Sequence, residues 1–225
     1  MTDNQPLSTT DLSVEKLIID YLNTARVNRY ALAARGGGVT PTSLYLWNCD
    51  LSAAFYMPLH FAEITCRNTI HKALCFRDVE WPKNPTFRGI LGGNYLNDLD
   101  SVIAEEGRQH GDDMTNDHIV SALSFGFWEH LTTKRFGRFL WSKGFQRSFG
   151  SAPWKMKLHD LQRQIESVRR WRNRIAHHNA IFDKKPSSKL QDAITLIEWS
   201  SPELSKWVAA QCQVQSIIND RPKGH

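Results

Sequence analysis

Apolar residues Val14, Leu17, Ile18, Tyr21, Leu22 and Ala25 recur at the three-and-four spacing of an amphipathic helix, which Gly36, Gly37 and Gly38 end. Thr40-Pro41 opens the next helix, and the pattern stays helical from Leu44 to about Phe76. Leu51, Phe55, Leu59, Ala62, Cys66, Ile70 and Leu74 fall near one face of it, with a kink at Pro58. Trp81-Pro82-Lys83-Asn84-Pro85 reads as a loop. A helix follows around Leu96, Leu99, Val102 and Ile103, and one beginning after Thr115 or Asn116 buries Ile119, Val120, Leu123, Phe127 and Trp128. The aromatic stretch Phe136 to Phe149 reads as short helix and loop. Pro153 introduces a basic helix, and Ser201-Pro202-Glu203 starts a last one with Leu204, Trp207, Val208, Gln211 and Val214 on its stripe. No period-two alternation, repeat, low-complexity block or linker interrupts this series. The expected fold is a single all-α bundle over residues 1–225, with short flexible tails at about 1–10 and 220–225.

With 225 residues, of which 41% are apolar and 23% charged, the chain can bury a core without disulfides or metals and is not a disordered or collagenous polymer. No run nears the ~20 apolar residues of a bilayer span, and MTDNQPLSTTDLS lacks the basic-then-apolar order of a signal peptide, so a cytosolic protein without membrane contact is expected. Cys49, Cys66, Cys75 and Cys212 form no Cys-x-x-Cys pair and read as free thiols. His60, His71, His110, His118, His130 and His159 lack metal-ligand spacing, so no metal is expected. Gly36 to Gly38 has no following Lys-Ser or Lys-Thr and reads as a helix stop, not a phosphate loop.

Charge changes the picture. The net value is +5, yet Lys134 to Arg174 holds twelve Lys and Arg against Asp160 and Glu166, a local +10 that leaves −5 on the rest. A concentrated basic surface suits a polyanion, because neutralising phosphates releases their counterions. The plainer alternative is a solvated helical face.

The basic helix also breaks its own pattern. Its stripe runs Trp154, Leu158, Leu161, Ile165, Val168, then Arg172, then Ile175, which puts a guanidinium at a core position. Such a charge must be paired, border a polar cavity or sit at a subunit interface. Asn173 and His177 share a face one turn apart, with Arg172 about 140° from His177. An arginine, an amide and a histidine so placed can cradle a phosphodiester; a basic helix end whose histidines favour the helix dipole is the bland reading.

The run Arg172-Asn173-Arg174-Ile175-Ala176-His177-His178, followed by Ile181-Phe182, resembles the arginine, polar residue, three variable residues, histidine signature of HEPN domains, in the form found in Abi-like abortive-infection proteins of the AbiD/AbiF type. Leu46-Trp47-Asn48 with Leu51-Ser52-Ala53-Ala54-Phe55, Glu63-Ile64-Thr65-Cys66-Arg67-Asn68, and Leu123-Ser124-Phe125-Gly126-Phe127-Trp128 are similar to further blocks of that family. The likeness covers about Leu12 to Phe182 and departs at Asn179-Ala180, where the family commonly carries Glu-Pro.

The resemblance implies an all-helical HEPN fold that dimerises to form a composite cleft. The implied activity is metal-independent, cofactor-free endoribonuclease cleavage to a 2′,3′-cyclic phosphate and a 5′-hydroxyl. It makes His177 the proton-transfer group, with His178 as the other candidate; Arg172 stabilises the phosphate and Asn173 positions the pair. Glu63, Arg67, Asn68 and His178 are supporting residues, and Glu63 pairs either Arg67 one turn on or an arginine of the basic helix. Arg169, Arg170, Arg174, Lys155 and Lys157 are expected to hold RNA. Expected partners are RNA, a second copy of the chain and a cognate antitoxin or regulatory protein. A non-catalytic RNA-binding or protein-interaction module is the alternative. Trp128, Phe127, Trp171 and Trp141 read as core rather than as base-stacking platforms.

Overall fold

The helices pack around a buried trio, and each boundary has a local cause. The computed structural model describes residues 16–35 and 37–223, so Leu12, Val14, Gly36, the 1–10 tail and the last two residues lie outside it. Residues 16–21 are helical, and the chain then breaks at Leu22-Asn23, where the Asn23 side chain accepts from the Arg26 N–H and starts α1 (Thr24–Ala34). The single helix expected there is therefore two. Helix α2 (Pro41–Ala54) begins as its sequence predicts: Thr40 Oγ1 accepts from Ser43 N–H at 3.0 Å, and Pro41 sits in the first turn.

The long helix expected from Leu44 to Phe76 is also two, because the chain turns at Phe55 and resumes as α3 (Tyr56–Cys75). Pro58 lies in the first turn of α3, where it has no helical hydrogen bond to lose, and is not the kink. The Trp81–Pro85 loop is a 3₁₀ turn that runs into α4 (Pro85–Leu91), capped by Asn84. Helix α5 spans Gly93–His110. The next expected helix divides into α6 (Asn116–Ala122) and α7 (Phe125–His130), since Ser124 caps the second with an oxygen that accepts from Phe127 N–H. Residues 131–157 are 3₁₀ turns and loop, and α8 (Leu158–Ala176) starts after Trp154, which is exposed rather than on the core stripe.

Helix α9 (Pro186–Ser200) has no counterpart in the sequence pattern. Helix α10 (Pro202–Gln211) starts at Ser201-Pro202 as expected, but Val214 belongs to a further helix, α11 (Val214–Asn219), and Trp207 is half exposed. Helices α3, α8 and α9 pack against one another, α2 and α10 lean on α3, and α1 lies on α2. Leu59, Ala62, Cys66 and Ile70 of α3 meet Leu161, Ile165 and Val168 of α8 and Ala193, Leu196 and Ile197 of α9 in one core, all but fully buried. Phe127, Trp128, Trp141 and Trp171 are core residues. All described residues are helix, turn or loop, with no strand among them, and no described helix is long and apolar enough to cross a membrane.

Candidate functional site

Burial along α8 ends at Trp171. That residue takes the inward position and meets Phe55 edge-on at 5.3 Å, while Arg172 leaves 45% of its side chain exposed. The core position expected for Arg172 is thus wrong: full burial ends at Trp171, Ile175 packs only partly against the core, and the guanidinium stands at the rim of a cleft. That cleft, about 590 Å3, lies between α8 and the junction of α2 and α3. Its walls are Ser52 and Ala53 of α2, Tyr56, Leu59, His60 and Glu63 of α3, and Arg172, Ile175, Ala176 and His178.

Glu63 Oε2 lies 3.2 Å from Arg172 Nε, and Arg172 Nη1 donates to Asn173 Oδ1 at 3.2 Å. Glu63 is the better buried partner, at 17% exposed. A carboxylate gripping Nε leaves Nη2 and part of the guanidinium face open to the cleft. Arg67 does not share this network. Its Nη1 reaches the Ser121 carbonyl at 3.3 Å, toward α6, and its buried Nε has no partner among the described residues. The Glu63–Arg67 intrahelical pair therefore does not form. Asn68 is exposed and lies outside the cleft lining.

The histidines sit at a helix stop of defined geometry. His177 caps α8, and His178 follows with φ of 54°, in the left-handed region. His178 N–H donates to the Ile175 carbonyl at 2.8 Å and Asn179 N–H to the Arg174 carbonyl at 2.9 Å, the paired bonds of a Schellman stop. This replaces the proline stop that the Asn179-Ala180 departure removes. Glycine usually occupies such a position, because a Cβ there costs about 1–2 kcal/mol. The strained backbone lets His178 line the cleft beside Arg172 and Glu63, whereas His177 is exposed and not among the lining residues.

Distant parts of the chain hold this stop in place. Arg26 of α1 donates to the His178 carbonyl, and Arg29 pairs both oxygens of Asp183 at 2.8 and 2.9 Å. Buried Asn48 of α2 accepts the N–H groups of Ile181 and Phe182 at 2.8 and 3.2 Å through its Oδ1. Arg174 is committed in part to the same segment, through an Nε bond to the Ala180 carbonyl at 2.8 Å.

The expected RNA-holding residues divide. Arg169 is an internal brace: its Nε binds Glu129 of α7, and this bond holds its proton more tightly than an exposed arginine would. Arg170 pairs with Glu166 at 2.5 Å on the surface, and it lines with Arg174 a second, shallow groove of about 530 Å3 that also holds Lys184 and Lys189. Lys155 and Lys157 are exposed before α8. Tyr56, which the sequence reading passed over, and His60, which it read only as lacking metal-ligand spacing, are cleft residues; their rings stack at 5.7 Å. The signal was present in the polar spacing Tyr56, His60, Glu63, which marks one face of a helix. No group of three or more His, Cys, Asp or Glu that could hold a metal occurs among the described residues. Compared with known protein families, with curated proteins and with solved structures, the chain matches none.

Proposed function

We propose that the chain is a HEPN-type endoribonuclease of a defence or toxin system, working as a homodimer whose two copies complete one groove. The observation that carries this reading is the pair Glu63 and Arg172 on the wall of an open cleft, with Asn173 bonded to the guanidinium from beside it and His178 on the same wall. Glu63 fixes the guanidinium from behind, and the free edge of Arg172 meets the phosphate. An imidazole takes the 2′-hydroxyl proton, the 2′-oxygen bonds to phosphorus, and the 5′-oxygen leaves after accepting a proton. A 2′,3′-cyclic phosphate and a 5′-hydroxyl result, with no metal or cofactor in the step. His177, at the signature position and exposed, is the group proposed for proton transfer in the dimer; His178 shapes the cleft of its own chain. A cognate antitoxin or regulatory protein would restrain the activity.

The test uses purified full chain, labelled single-stranded RNA and an excess of chelator. Fragments ending in cyclic phosphate are expected. Arg172→Ala and His177→Ala each lose a factor of about one hundred to ten thousand in rate; His177→Ala keeps the wild-type unfolding midpoint, and Arg172→Ala loses no more than about 1 kcal/mol of stability. Wild-type cleavage by His177→Ala alongside an inactive His178→Ala would transfer the proton role to His178. Equal rates in Arg172→Ala and wild type would end the nuclease reading. The basic groove lined by Arg163, Arg170, Arg174, Lys184 and Lys189 favours a second reading, a non-catalytic RNA-binding or interaction module. A salt-sensitive mobility shift without fragments would support it.

A further inference from the structure

Free positive charge also lies away from α8. Among the described residues, no carboxylate lies within ion-pair distance of Arg77, Arg138, Lys143 or Arg147. Three of these, Arg77, Lys143 and Arg147, converge on a cavity of about 470 Å3 between the C-terminal end of α3 and the loop 140–148. Along α3 the cavity lies about 20 Å from Glu63, at a rise of about 1.5 Å per residue. Its lining contains no acidic residue. The adjacent Asp78 is engaged elsewhere, accepting from Asn84 Nδ2 at 2.8 Å and from Glu80 N–H at 2.9 Å.

The cavity is fixed on one side and open on the other. Arg77 Nε donates to the Phe139 carbonyl at 2.6 Å, and its Nη2 lies 3.4 Å from Ser142 Oγ, so the guanidinium is positioned by neutral acceptors that leave its charge in place. Trp141 anchors the floor through an Nε1 bond to the Leu131 carbonyl at 2.8 Å. Gly144, at φ of 84°, turns the loop back, and a Cβ there would press against Gln146 Oε1 at 3.1 Å. Phe76 lines the rim with 88% of its surface exposed and no aromatic partner among the described residues.

We propose that this cavity binds a mononucleotide, its phosphates held by Arg77, Lys143 and Arg147 and its base laid on Phe76. Pockets of about 300–1,000 Å3 with an apolar floor and a few convergent polar groups suit small molecules. Convergence of the cations on one hollow fits a compact polyphosphate better than the extended backbone of a nucleic-acid strand, which needs a row of sites. This site is independent of the ribonuclease reading and shares no residue with the cleft.

Titration calorimetry at about 0.15 M salt, with ADP, GDP, CDP and UDP each tested alone and with inorganic pyrophosphate, decides it. At least one nucleotide is expected to bind with a Kd below about 1 mM, with pyrophosphate competing. Lys143→Glu and Arg147→Glu, which alter exposed side chains with no hydrogen-bond or ion-pair partner among the described residues, are expected to weaken both ligands at least about tenfold. Phe76→Ala is expected to weaken the nucleotide and spare pyrophosphate, and Arg172→Ala to change neither. The proposal is overturned if no nucleotide binds at about 1 mM, if the charge reversals leave affinity unchanged, or if only an RNA oligonucleotide binds there.

Discussion

Arg172 and Glu63 carry the argument at the scale of single residues. Their contact joins two helices across the cleft, so a double-mutant cycle should return a coupling of about 0.5–1 kcal/mol, while Glu63 with Arg67 should return none. Additive effects for the first pair would mean that Glu63 does not hold the guanidinium. The sequence already marked Arg172 as anomalous, because a charge interrupted an apolar stripe. It could not say that the stripe loses its packing partner there, since that depends on where α2 and α3 diverge. His71 supplies a second prediction. Burial pushes its pKa below the usual value, against a smaller opposite pull from Asp117, and its Nδ1 accepts the Trp81 indole N–H at 3.2 Å, which requires the neutral ring. Burial and the nearby Arg135 act in the same direction on His130. The stability these neutral rings supply is complete above the ordinary histidine pKa of about 6.5 and is lost as pH falls through the lowered native values. Urea midpoints measured from pH 7.5 to 5 should therefore fall. His71→Gln, whose amide oxygen can still accept from Trp81, should fall less steeply; parallel curves would refute the assignment.

At the scale of elements, the stop of α8 is the informative boundary. A histidine at φ of 54° occupies a place that glycine fills without strain, so His178→Gly should keep or raise the unfolding midpoint, and His178→Val should lower stability by about 1–2 kcal/mol. A His178→Gly variant that unfolds more readily would show that the imidazole, not the backbone, anchors this turn. Boundaries with a side-chain cap, such as Thr40-Pro41 and Ser201-Pro202, were legible because the cap is written into the residue type. The break at Phe55 was not, since its backbone stays helical, with φ of −71° and ψ of −15°, and no cap announces it. Helix α9 escaped notice for a related reason: Lys185 precedes it in a left-handed conformation with no capping side chain, and its first turns are tied down by tertiary bonds that join Lys189 and Asp192 to Ser167 of α8.

The whole molecule redistributes what the sequence concentrates. The basic window reads as one face, yet Arg163, Arg169, Arg170 and Arg172 find carboxylates, two of them across helices, while Lys143 and Arg147 join Arg77 around a cavity at the far end of α3. Composition counts charges and is blind to these pairings, which is why the bundle class was legible and the location of its free charge was not. Asn48 joins α2 to the segment after α8 through two buried bonds. Asn48→Ala would leave two buried N–H groups without an acceptor and should cost about 2–4 kcal/mol, read as a lower unfolding midpoint; a loss under 1 kcal/mol would mean that this bond pair is replaceable.

That amide also makes the signature non-portable. Its arginine and histidines lie within seven consecutive residues, yet the turn presenting them is tied down by Asn48 and by Arg26, more than a hundred positions upstream. Grafted onto another scaffold, the seven letters would keep their spelling and lose their pose, whereas changes around residue 26 or 48 would unseat them from afar.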